Sequence, residues 1–362
     1  MVTASVLLIV TFLHVITQSS LVEPEWITIS LPSAIPYANA CLVNAFLFIV
    51  IVFFAGSYQR EGRSGGASAA LSTRPFSNME LTCGKTAGFL ILMLGASLFL
   101  GLVAIFIHLF GSESPFALYP YVFYFFTLTC PLLVFFTGLA TSVKGMVRNP
   151  ALACVSLLGM LYLFFNFGSS FFHGVFDVLA IKLPNTFSDV TGFAGLGVYL
   201  LQRASFLAYG CGLIILGVAF VHRLPSGSRS NVSAGRPGAW LLALGVVLSG
   251  FYAGHFIRRD QERKAVRETF AKYEAVPRVS VTDHDIEFKQ EGYAYSACSE
   301  LNLQNIHNQK IDSVVLYLNP GLEVVKLTTG GEVLPFRRER QVLILPLSME
   351  AGETRRVECR HG

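Results

Sequence analysis

The strongest constraint on this chain is a series of apolar runs, each close to the length that crosses a lipid bilayer. A helix spanning the hydrocarbon core needs about 20 mostly apolar residues. Without water in that core, every backbone group must be satisfied internally, which a helix does within one segment. Seven stretches meet or approach the length: 4–19, 38–56, 86–110, 119–143, 151–171, 204–221 and 239–257. Charged residues are only 14% of the 362, against about 25% in soluble domains. The expected fold is a polytopic α-helical membrane protein of six to seven spans, multi-pass in the inner (cytoplasmic) membrane of a cell. The first stretch is short and lacks a basic region before it, so it reads as a signal-peptide core or a retained anchor. The sequence that follows, TQSSLVEPEW, makes a poor small-residue cleavage site, which favours the anchor.

Loop charge sets the expected orientation. The loop at 57–85 carries Arg60, Arg63, Arg74 and Lys85. The turn at 144–150 carries Lys144 and Arg148, and the loop at 223–236 carries Arg223, Arg229 and Arg236. The alternate loops hold Glu23 and Glu25, then Glu113, then Asp177, Lys182, Asp189 and Arg203. The basic loops are assigned to the cytoplasm, which puts the N-terminus inside and everything after residue 257 outside. The stretch RRDQERKAVRETFAKYEA at 258–275 is then basic on the wrong side. Long domains translocate largely regardless of charge, and a domain follows it.

Composition changes after residue 275. Short, partly alternating runs such as SVVLYLNPG, EVVKLTTGG and QVLILPL are punctuated by Asn319-Pro320-Gly321, Gly330-Gly331 and Ala351-Gly352. That is hairpin punctuation. The expected organisation is a membrane domain over 1–257, a charged helical linker over 258–277, and an all-β, sandwich-like domain over 278–362 outside the membrane. A strand-like run reaches the last residues, so an open edge strand is expected there. Such an edge invites pairing, or continuation into further chain.

The segment RPFSNMELTCGKTAGF raises the question of a phosphate loop, because it contains Gly84-Lys85-Thr86. A Walker loop needs a glycine five residues before Gly84, and Met79 stands there; no apolar strand precedes it. Ser77 and Glu80 instead form an S-x-x-E capping box, which predicts a helix from about Asn78 into the third stretch. Gly84 and Gly88 leave room for a close neighbour, and Lys85 is placed to snorkel at the membrane edge.

The stretch FFAGSYQREGRSGGASAALSTRPFSNMELTCGKTAGF resembles the first cytoplasmic loop of type-2 ATP-binding-cassette exporter permeases. The positions that carry the resemblance are Gly56, Arg60, Glu61, Leu71, Ser72, Thr73, Pro75, Leu81, Gly84 and Lys85. KGMVRNPALA is similar to the tight second cytoplasmic turn of those permeases. HGVFDVLAIKLPNTFSDVTGF and LLQRASFLAYGCGLIILGVAFVHRLP resemble a subgroup fused to an aminopeptidase-N-like module. LNLQNIHNQKIDSVVLYLNPGLEVVKL and the SMEAGE turn are similar to the start of the β-domain of such zinc metallopeptidases. The resemblance implies a permease subunit, driven by a separate cassette ATPase that docks on Arg60, Glu61, Arg74, Pro75, Glu80, Gly84 and Lys85. ATP and magnesium would then belong to the partner, with no cofactor on this chain, and a second permease copy or homologue would complete the transporter. Those permeases also begin with a basic amphipathic stretch before the first span, which is absent ahead of residue 4. The alternative implied is a membrane-anchored fragment or adaptor of an aminopeptidase-like protein.

Enzymatic motifs are missing. None of the eight histidines forms H-E-x-x-H, the zinc pair with its general base. No CxxC zinc spacing occurs among the seven cysteines. The net charge of +4 follows the loop bias and does not point to nucleic acid. The chain is therefore expected to be no enzyme and to bind no metal. Three ionisable residues near membrane depth stand out as a substrate or proton path: His173, Asp177 and Arg203. Spacing puts His173 and Asp177 on one helical face, where the alternative is a solvated loop pair. Arg203 reads as an interface anchor or a substrate contact, and His108 as an interfacial residue.

Overall fold

In the computed structural model, residues 31–60, 77–111, 115–147, 149–188, 192–193, 195–220, 228–291 and 294–361 are described. The expected span at 4–19 lies outside them. Among the described residues six helices are long and apolar enough to cross a membrane: α1 (Ala34–Arg60), α2 (Asn78–Gly111), α3 (Tyr119–Met146), α4 (Pro150–Phe167), α5 (Leu196–Gly217) and α6 (Ser228–Lys272). They are compatible with a multi-pass membrane protein. The chain divides into two compact units, Met1–Phe256 and Ile257–Gly362.

In the first unit, Leu47, Phe48 and Ile51 of α1 pack with Leu128, Leu132 and Phe136 of α3 and with Phe206 of α5. The outward residues of α2 are apolar too, with Ile91, Leu92, Phe106 and Phe110 exposed. An all-round apolar helix suits a lipid solvent. Glycines bring backbones together where side chains would separate them. A Cβ on Gly210 of α5 would lie 2.6 Å from the Phe135 backbone nitrogen of α3. One on Gly238 of α6 would lie 2.7 Å from the Gly212 carbonyl oxygen of α5. Close small-residue contact of this kind is how helices associate without a hydrophobic driving force. In α3 a π turn, Phe125–Thr129, ends just before Pro131. Proline lacks an N–H and its ring crowds the preceding turn, so the widened turn absorbs the disturbance.

The second unit carries two antiparallel sheets. One has the order β3-β4-β10-β6-β7, from Ser280–Glu291, Ala294–Gln304, Thr354–His361, Val324–Thr329 and Glu332–Val333. The other has the order β5-β9-β8, from Val314–Tyr317, Val342–Leu345 and Arg337–Glu339. A two-stranded ribbon in the first unit supplies β1 (Phe187–Ser188) and β2 (Gly192–Phe193). Leu303, Leu327 and Val357 of the larger sheet share a core with Val314, Leu343 and Leu345 of the smaller. Gly330 and Gly331, at φ 58° and 87°, form the two-residue turn between β6 and β7, as the glycine pair predicts. The expected open edge at the last strand is corrected: β10 is interior, paired with β4 on one side and β6 on the other. The edges are β3 and β7. Local sequence carries strand propensity but not the order of strands in the sheet.

The charged stretch after residue 257 continues α6 without a break to Lys272 and packs on the sheets of its own unit. Gln341 Nε2 donates to the Val266 carbonyl at 2.6 Å. Lys272 Nζ and the Tyr273 hydroxyl both reach Glu339, at 2.9 and 2.6 Å. The Arg278 guanidinium lies over the rings of Phe270 and Tyr317, at 5.4 and 5.5 Å.

Candidate functional site

Two places in the first unit concentrate polar chemistry. The first is the start of α2. The Ser77 backbone N–H donates to Glu80 Oε2 at 2.7 Å, and the Glu80 N–H donates to Ser77 Oγ at 3.2 Å. This is the reciprocal capping box, and it starts the helix at Asn78 as the spacing predicts. Met79, Glu80 and Gly84 are exposed on the first turns, and a Cβ on Gly84 would meet nothing within 4 Å. Lys85 is half-buried. Arg60 closes α1. Glu61, Arg74 and Pro75 lie outside the described residues.

The second place is the segment between α4 and α5, which folds back among the helix ends. Val178 and Ala180 in it are fully buried, and Asp177 is 1% exposed. Four of the five described non-glycine residues with positive φ lie here: Phe172, His173, Ala180 and Asn185. Such backbone strain persists only where surroundings hold it. The holding groups are side chains of the helices. Arg203 of α5, 2% exposed, donates from Nη1 to the Val178 carbonyl at 2.8 Å and from Nη2 to the Asp177 carbonyl at 2.7 Å. Nη2 also donates to Gln202 Oε1. Gln202 Nε2 donates to the Gly174 carbonyl at 2.6 Å. The hydroxyls of Tyr37, Tyr124 and Tyr252 donate to the carbonyls of Leu179, Asn185 and His173, at 3.0, 3.2 and 3.3 Å. The Arg203 guanidinium also sits over the Phe206 ring at 5.0 Å. Four helices thus hold one loop through its carbonyls.

Two buried charges of opposite sign share this cluster. The Asp177 Oδ2 accepts from the Lys182 N–H at 2.8 Å. Its Oδ1, and Arg203 Nε, are buried without a hydrogen-bond partner among the described residues. The carboxylate and the guanidinium make no direct ion pair, but opposite charges buried in one cluster offset part of each other's desolvation cost. The cluster is built to hold backbone, and its residual polar capacity faces inward.

These facts correct three expectations. His173 and Asp177 share no helical face: Phe172 and His173 have φ of 40° and 60°, so the α-helical spacing fails, and the His173 ring stacks on Phe256 at 6.1 Å. Asp177 is not a solvated loop residue. Arg203 is not an interface anchor but the largest fully buried side chain of the described residues. His108 is 2% exposed and bonded through Nδ1 to the Tyr121 hydroxyl at 2.9 Å. Gln202, Tyr37, Tyr124 and Tyr252 escaped sequence reasoning. The adjacent polar pair Gln202-Arg203, just ahead of the apolar run at 204–221, was the available signal.

No family model and no curated protein matches the chain. Among solved structures, an M1 zinc metallopeptidase from Deinococcus radiodurans aligns at 16% identity with a TM-score of 0.19. The alignment covers 23% of this chain and 20% of that one.

Proposed function

We propose that the chain is the membrane-spanning permease subunit of an ATP-binding-cassette exporter, driven by a separate ATPase. The observation that carries this reading is the capped start of α2. It ends the loop whose residues resemble the ATPase-docking loop of such permeases, and it presents Met79, Glu80 and Gly84 on a surface that no other described part of this chain covers. In this reading Gly84-Lys85-Thr86 opens a helix, and nucleotide and magnesium bind the partner. ATP binding would move the helices between two arrangements by binding one of them better. The Arg203 cluster would make α5 and the folded-back segment travel together, as a cover at the outer end of the bundle. The β unit would lie outside the membrane as a recognition or scaffold domain, with a second permease copy completing the pore.

The experiment is affinity purification of the full chain from its native membranes, with mass spectrometry of what accompanies it. The expected result is a cassette ATPase, lost when Arg60→Glu and Glu61→Arg are combined while the chain still folds. A peptidase in place of the ATPase, or an ATPase retained in the reversed variant, would overturn the reading.

A further inference from the structure

α6 does not end where its apolar run ends. Arg259, Arg263 and Arg267 follow at four-residue spacing, which puts them on one face of the helix. All three are exposed. With Glu262, Val266 and Pro320 they line a cleft of about 390 Å³. Its far wall is Pro320, held in the turn Asn319-Pro320-Gly321. The Gly321 N–H donates to Asn319 Oδ1 at 3.0 Å, and Arg338 Nη2 lies 3.2 and 3.3 Å from the carbonyls of Asn319 and Pro320. The bond from Gln341 to the Val266 carbonyl pins the helix to the β layer beside it. Both walls are therefore held before anything binds.

The cleft is cationic, with three guanidinium groups against the single carboxylate of Glu262. The ion pair on its rim, Arg263 with Asp260, is 4.0 Å long and exposed on both sides, which makes it weak. A guanidinium is the side chain best suited to a phosphate, since its planar fork binds two oxygens at once.

We propose that this cleft seats the phosphate of an anionic phospholipid headgroup from the bilayer that α6 crosses. Position along the helix selects that source. At 1.5 Å per residue, Arg259 lies about 3 Å and Arg263 about 9 Å beyond Ile257, where the apolar run ends. The headgroup layer is about 5–8 Å deep on each side of the hydrocarbon core, so Arg259 lies within it and Arg263 at its outer edge, in reach through its long side chain. Arg267, about 15 Å out, is within a Debye length of that layer. The proposal also accounts for the one basic stretch that loop charge puts on the wrong side, because lipid phosphates would hold its arginines there. It rests on α6 being a span and is independent of the transport reading.

The test uses the full chain in nanodiscs of phosphatidylcholine with or without phosphatidylglycerol, with native mass spectrometry of retained lipid. The expected result is selective retention of phosphatidylglycerol. Combining Arg259→Gln with Arg263→Gln removes two charge-assisted forks and should weaken retention about 100-fold, at roughly tenfold per guanidinium. Combining Arg258→Gln with Lys264→Gln removes the same charge from other faces of α6 and should leave retention near the wild-type level. Equal loss in both pairs would overturn the cleft in favour of diffuse attraction. Displacement of the lipid by inorganic phosphate at equal concentration would overturn the lipid as occupant. Should the glutamine pair fail to fold, Arg259→Lys with Arg263→Lys keeps the charge and removes the fork; several-fold weaker retention is expected, and unchanged retention would overturn the proposal.

Discussion

Arg203 shows what one side chain does when it is buried among apolar helices. Its fork satisfies two carbonyls of a segment whose backbone is strained at four residues, and its charge offsets Asp177. Arg203→Gln leaves that carboxylate without its counter-charge and should cost about 3–5 kcal/mol. Arg203→Lys keeps the charge and loses the fork, and should cost about 1.5–3 kcal/mol. Thermal unfolding of the purified chain in detergent measures both, and equal effects of the two variants would show that the fork alone matters. Ser77→Ala removes one half of the capping box and should cost about 1 kcal/mol. Its effect should be local, read as faster hydrogen exchange at the Glu80 amide.

At the scale of elements, glycine contacts and ion pairs do different work. The α3–α5 crossing closes on Gly210, where an added methyl meets backbone rather than a movable side chain. Gly210→Ala should therefore destabilise by about 1–3 kcal/mol through overpacking, although alanine is the better helix former. Gly84→Ala is the control, since nothing stands within 4 Å of it; it should leave the unfolding midpoint unchanged or slightly raised. In the β unit, the Tyr273 hydroxyl and the Lys272 ammonium hold the Glu339 carboxyl below its ordinary range. A depressed carboxyl contributes stability that is complete above its unfolded value, about 4.3, and is lost as pH falls through the lower folded value. Glu339→Gln should thus lower the unfolding midpoint near neutral pH and flatten its fall under acid. A variant that matches the wild type at neutral pH would show that Glu339 contributes nothing there.

At the scale of the whole molecule, orientation in the membrane decides which surfaces a partner can meet. The loop charges set an expectation that labelling can check. On a background lacking the seven native cysteines, an impermeant thiol reagent added to intact cells should label Asp312→Cys and spare Ser64→Cys. The opposite pattern would invert the orientation and remove the basis for an ATPase meeting the loop at 57–85.

Much of this architecture could be read from order along the chain. Apolar length marks a span because a bilayer has a set thickness, and six of the seven stretches recur as helices. Ser77 and Glu80 define a helix start because the capping box closes within three residues. Gly330-Gly331 defines a hairpin because both positions need positive φ. What depended on tertiary structure was every property set by distant neighbours. Arg203 and Asp177 read as surface charges until helices α1, α3, α5 and α6 close around the segment between α4 and α5. The last strand reads as an edge until β4 and β6 flank it. Three arginines read as a solvated helix face until the Pro320 turn gives that face a second wall. Local patterns encode element type because propensity and capping act over a few residues. Burial and charge pairing are sums over groups far apart in sequence, so only the folded chain decides them.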